Sequence, residues 1–161
     1  MERYIHYGAD VFDPKKFLPI KNAIWGRNKP ESGGLWASRI DAKWGWKDWC
    51  ESEEFHLDRL RQKFTFMLSD DARVLHLFSV HDLKKIPESE RSLFHATWMI
   101  PDFEKAMETY DAIELHLSEE VRDDPYADGL YYALYGWDCD SILIMNPDVI
   151  IPDGGDPHGT T

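Results

Sequence analysis

Basic residues, cysteines and long apolar runs are all scarce in this chain, and each scarcity closes off a class of function. Eighteen Lys and Arg stand against thirty Asp and Glu, a formal charge of −12. Such a chain repels a phosphate backbone and gains little from counterion release, so non-specific binding to DNA or RNA is not expected. The acidity itself reads first as a means of solubility. Only two cysteines occur, Cys50 and Cys139, and their flanks match neither a Cys-x-x-Cys redox pair nor a four-ligand zinc motif. A reducing compartment fits them best. No apolar run reaches the roughly 18 residues needed to cross a bilayer, and the opening Met-Glu-Arg-Tyr-Ile-His carries no apolar signal core. The expectation is a cytoplasmic protein with no membrane attachment. HExxH and DxDxDG patterns are missing as well, and the aspartates around Cys139 have no second ligand cluster, so the sequence predicts no metal.

What is present suits a folded globule. Hydrophobic residues make up 43% and aromatics 14% of the chain, well above what keeps a sequence disordered. At 161 residues one core suffices, burying about two thirds of the unfolded surface. A single α+β domain is expected over residues 1–151, followed by a flexible Gly-, Pro- and Asp-rich tail over 152–161.

Along the chain, residues 3–7 alternate as a strand that ends at Gly8. Residues 9–33 read as a loop, broken by Pro14, Pro19, Gly26, Pro30 and Gly33-Gly34, and long loops in small domains are commonly functional. Residues 35–38 predict a short strand, with Ser38 capping a helix across 39–50. Residues 64–68 and 74–78 predict two strands in a hairpin-like arrangement about Asp70-Asp71. A helical turn is expected at 81–85, ended by Pro87, and a helix at 102–108, opened by Asp102 after Pro101. Residues 112–117 alternate as a half-buried strand on which Glu114 and His116 share a face turned to solvent. The acidic stretch 119–128 reads as a solvated loop. Ser141-Ile-Leu-Ile-Met is a continuous apolar run of the kind found in a central strand, ended by Asn146-Pro147.

Three segments in this order carry a family likeness: Ile5-His6-Tyr7-Gly8; Gly33-Gly34-Leu35-Trp36-Ala37-Ser38 with the following Asp41-Ala42-Lys43-Trp44; and Tyr110-Asp111-Ala112-Ile113 with the later run from Asp140 to Pro147. Together they resemble the ADP-ribosyltransferase superfamily, in particular its diphtheria-toxin-like and poly(ADP-ribose) polymerase-like branch. The resemblance implies a split antiparallel β-sheet core with short flanking helices. It implies NAD as the substrate and mono-ADP-ribosyl transfer to a macromolecular acceptor, protein before nucleic acid. Carried onto this chain, His6 bonds the nicotinamide ribose, Tyr7 and Gly8 continue the NAD site with the Gly8 backbone holding the carboxamide, Trp36 and Trp44 sandwich the ring, and Ser38 adds a polar contact. Asp140 stands where the family has glutamate and is one methylene shorter. Three outcomes follow from that difference: a shifted site, Asp138 or Glu114 in the catalytic role, or a fold that binds NAD without efficient transfer.

The chemistry asks for the same residue types. Breaking a nicotinamide glycosidic bond builds positive charge on a ribose carbon, which a nearby carboxylate such as Asp138 or Asp140 stabilises. Flat apolar walls grip an aromatic leaving group and exclude water, and four of the seven tryptophans (Trp36, Trp44, Trp46, Trp49) fall within residues 36–49. Each residue also has a plain structural role open to it. His6 can be a satisfied strand-end histidine, Trp46 and Trp49 core residues, and Asp138 and Asp140 turn caps. Cys139 has no neighbouring histidine to make it a nucleophile. The alternatives to transfer are an NAD glycohydrolase and a non-catalytic nucleotide- or protein-binding module on the same fold.

Overall fold

The structure, a computed structural model, describes residues 1–23, 28–89, 100–117, 130–134 and 136–154. Seven strands form one mixed sheet: β1 (Arg3–Tyr7), β2 (Leu35–Arg39), β3 (Lys63–Leu68), β4 (Val74–Leu77), β5 (Ala112–Leu115), β6 (Ser141–Ile144) and β7 (Ile150–Pro152). Their order is β4-β5-β6-β2-β1-β3-β7. The helices are short: α1 (Trp46–Glu53), α2 (Phe103–Ala106) and α3 (Leu130–Ala133). Short 3-10 helices lie at Pro14–Lys16, Leu57–Arg61, Val80–Lys85 and Pro147–Val149. The class is α+β, and no described helix is long and apolar enough to cross a membrane.

Two apolar layers sandwich the sheet. On one face Leu75, Leu77, Ile113, Leu115 and Leu143 meet Phe103 and Ala106 of α2, Leu130 of α3, and Leu134 and Trp137 beyond it. On the other, Tyr4, Ala37, Phe66, Ala112, Ile142 and Ile144 pack with Val149 and Ile150. Because both faces are covered, every residue of β5 and β6 is buried. That explains the unbroken apolar run of β6. It also corrects the half-buried expectation for residues 112–117, since Glu114 is only 2% exposed. The capping reading of Asp102 holds, its carboxylate accepting from the Lys105 amide at 3.0 Å.

Two further expectations fail for physical reasons. Strands β3 and β4 are not a hairpin. Both edges of β3 are filled, by β1 and β7, and β4 pairs in parallel with β5 on the far edge, where Leu75 and Leu77 reach the core. The helix expected over 39–50 starts only at Trp46, because Arg39 stays in β2 opposite Tyr4 and Gly45 is extended. Ser38 still serves that helix, from the neighbouring strand: its Oγ accepts from the Trp46 amide at 3.0 Å. Gly33, at φ 88°, holds the end of the long loop against Pro19, where a Cβ would collide with the Pro19 carbonyl.

One feature of the pairing positions the site. β1 and β2 pair only through Tyr4↔Arg39 and Ile5↔Ser38. Beyond that point Leu35–Ala37 pair with β6, while His6 and Tyr7 pair with β3. The centre of the sheet therefore opens into a wedge between the end of β1 and the start of β2.

Candidate functional site

A cavity of about 500 Å3 lies at this wedge. That volume is within the range of about 300–1,000 Å3 common to small-molecule sites. β1 contributes His6 and Tyr7 to its lining, with Gly8 after them; β2 contributes Trp36, α1 contributes Trp46, and the lead into β6 contributes Trp137, Asp138 and Cys139. Gly8 sits at φ 113°, a conformation that L side chains rarely adopt, and its amide donates to the Gln62 carbonyl at 2.8 Å. The backbone thus turns away at the cavity edge without a side chain to fill it.

His6 spans the parted strands. Its Nδ1 lies 2.6 Å from the carbonyl oxygen of Trp36. A carbonyl only accepts, so Nδ1 carries the proton, and burial lowers the ring's pKa, which favours the neutral form. The neutral ring then presents Nε2 as an acceptor. Trp36 meets Trp137 edge to face at 4.7 Å, and the Trp137 indole donates to the Asn28 carbonyl at 2.7 Å. Lys29 Nζ stands 5.7 Å from the Trp36 ring centroid, a cation–π distance. Lys29, His56 and Arg59 also line the cavity and bring basic groups to its wall. Burial pushes the Cys139 thiol up to about 12, which leaves it protonated and a poor nucleophile near neutrality.

Of the residues singled out by sequence, His6, Tyr7, Gly8, Trp36 and Asp138 come together here. Trp44, Ser38, Asp140 and Glu114 do not line the cavity. The carbonyl of Trp44 accepts from the Asp140 amide at 2.9 Å, and the aromatic walls are Trp36, Trp46 and Trp137. Ser38 is buried and donates to the Asp140 carbonyl at 2.8 Å. The Asp140 carboxylate binds Arg39 at 2.7 Å and the Leu117 amide at 2.6 Å. Burial raises its pKa against the opposing pull of those two partners. Glu114 binds Arg39 at 2.8 Å and accepts from the Tyr4 hydroxyl at 3.0 Å. The acidic stretch 119–128 lies outside the described residues, as does the tail from residue 155 onward.

Arg39 is the hub of a second polar group that includes two histidines. It contacts Nδ1 of His116, whose Nε2 lies 2.9 Å from Nδ1 of His76. His116 is not turned to solvent as expected; its side chain is 19% exposed and stacks on Phe78 at 4.2 Å. Burial, Arg39 and His76 hold its pKa down to about 4. Sequence reasoning missed Trp137 and this histidine pair. Alternation marked Glu114 and His116 as sharing a face, but only the parallel register of β4 on β5 brings His76 to them.

No family model, curated protein or solved structure matches this chain.

Proposed function

We propose that this protein is a mono-ADP-ribosyltransferase that cleaves NAD in the wedge cavity and passes ADP-ribose to a protein acceptor. The observation that carries this reading is the meeting of His6, Trp36 and Asp138 around one cavity at the parting of β1 and β2. These residues come from three segments far apart in sequence. The apolar walls of Trp36, Trp46 and Trp137 suit a nicotinamide ring. The Nε2 of neutral His6 suits a ribose hydroxyl, which donates to it. Lys29 and Arg59 offer positive charge to a pyrophosphate.

The carboxylate facing the reaction is Asp138 in this reading. As the glycosidic bond lengthens, charge develops on the ribose carbon, and an anion fixed nearby in a partly desolvated cleft stabilises it more than water does. Asp140 has the place of the family's glutamate in the sequence but is committed to Arg39. It acts through the fold, tying the start of β6 to β2. The charge of −12 favours a basic protein as acceptor over a nucleic acid. Both cysteines are buried and unpaired, in keeping with a cytoplasmic setting.

Incubation of the purified protein with adenylate-labelled NAD and a cell lysate tests this. The expected result is a labelled protein band that is lost in Asp138→Asn. Release of free ADP-ribose without a labelled macromolecule would make the protein a glycohydrolase. Absence of nicotinamide release together with absence of NAD binding in calorimetry would overturn the reading and leave a binding module for another ligand.

A further inference from the structure

We propose that His76, Glu114 and His116 form a binding site for a divalent transition metal of zinc-like chemistry, separate from the wedge cavity. Three atoms define it: Nδ1 of His76, Nε2 of His116 and Oε2 of Glu114, which stand 2.9, 3.4 and 3.8 Å apart. A triangle with those sides has a centre about 2.0 Å from each corner, the length of a zinc–nitrogen or zinc–oxygen bond. An ion displaced slightly from that plane keeps all three bonds and gains a fourth, open position.

The fold builds this triangle from regular elements. The parallel register of β4 on β5 sets His76 directly beside Glu114, and the two-residue period of an extended chain returns His116 to the same face. The orientation of each ligand is supported from behind. The Tyr4 hydroxyl donates to Oε2 of Glu114 at 3.0 Å and Arg39 to its Oε1 at 2.8 Å. Phe78 stacks on both imidazoles, at 4.2 Å from His116 and 5.9 Å from His76. Such supporting contacts fix ligand geometry in metal sites generally. Two imidazoles and one carboxylate suit zinc, cobalt(II) or iron(II), whereas magnesium and calcium call for oxygen ligands. The side chain of His76 is 44% exposed, so an ion and its water have a path from solvent.

Arg39 makes a specific contribution. Its N–H faces Nδ1 of His116, which must therefore accept, leaving the ring's proton on Nε2 and shared with Nδ1 of His76. A metal ion takes the place of that bridging proton. The His116 ring then carries its proton on Nδ1, and the Arg39 contact to it opens while Arg39 keeps Glu114 and Asp140.

The test uses the full chain, treated with chelator, dialysed and titrated with cobalt(II), zinc and magnesium. One cobalt(II) per chain is expected, with the intense visible absorption of a four-coordinate site, displaced by zinc and unaffected by magnesium. Tyr4→Phe, which keeps all three ligands, should weaken binding by about 10-fold to 100-fold. His76→Ala and His76→Gln, at a half-exposed position, should weaken it further while leaving the circular dichroism spectrum unchanged. Cobalt(II) that gives neither stoichiometric binding nor that absorption in the unaltered chain overturns the proposal. So does unchanged binding in either folded His76 variant.

Discussion

The imidazole of His6 bridges a gap in the sheet by donating to the main-chain oxygen of Trp36 at 2.6 Å, across strands that no longer pair. The bond holds one edge of the wedge at a fixed distance from the other and selects the tautomer whose Nε2 accepts. The two functions are separable by substitution. Asparagine can imitate the Nδ1 donor but has no counterpart to Nε2. His6→Asn should keep the fold and raise the KM for NAD, whereas His6→Ala loses the bridge too and about 0.5–1.5 kcal/mol of stability. Urea unfolding beside NAD calorimetry on both variants checks this, and equal NAD binding by His6→Asn and the parent chain would remove His6 from the site.

Much of the sheet is legible in the sequence because strands leave local marks. β1 alternates up to Gly8, β2 follows the Gly33-Gly34 break, and β6 is an apolar run closed by Asn146-Pro147. Neighbour order leaves no such mark, so β3 and β4 read as a hairpin although they sit in opposite halves of the sheet. The site divides in the same way. His6, Tyr7, Gly8 and Trp36 adjoin glycine turns and are found by motif. Trp137 is a wall only because α3 and the lead into β6 fold it under Trp36, which nothing adjacent to it in sequence announces. The direction of Asp140 is likewise set by Arg39, 101 residues away.

The two aspartates flanking Cys139 should respond differently to the same substitution. Asp138 lines the cavity, so in the proposed reaction Asp138→Asn is expected to lower turnover about 10²–10³-fold, the effect of removing one transition-state electrostatic contact, with little change in unfolding midpoint. Asp140→Asn weakens its bonds to Arg39 and the Leu117 amide and should cost about 1.5–3 kcal/mol of stability. Turnover and denaturant midpoints measured on both variants give a crossed pattern. A reversed pattern would return the catalytic role to Asp140.

Acid should destabilise the fold through Asp111. Its carboxylate accepts from the Arg73 guanidinium, the Asn146 amide and the Arg73 backbone, and these hold its pKa down to about 2 from the ordinary 3.8. A carboxylate with a depressed folded-state pKa stabilises the fold above its unfolded value, and that stability is lost as pH falls through the folded value. The loss should therefore begin below about pH 4 and continue towards pH 2. Arg73→Met should flatten this dependence in urea titrations across that window. An unchanged slope would mean that other carboxylates govern the acid limb.

Cysteine chemistry offers a test of the cavity floor. Cys139 lines the cavity yet is 2% exposed, and Cys50 is fully buried. Burial raises both thiols, Cys139 to about 12, so the thiolate that an alkylating agent needs is scarce at neutral pH. Iodoacetamide at pH 7.5 should leave the folded protein unmodified and the proposed NAD turnover intact, and should label both cysteines once urea unfolds the chain. Mass spectrometry after timed exposure separates the two conditions. Rapid labelling of Cys139 in the folded protein, accompanied by loss of NAD turnover, would mean that the cavity floor opens to solvent and that a thiolate is available there. In that event the carboxylate of Asp138 would no longer be the obvious reactive group in the wedge.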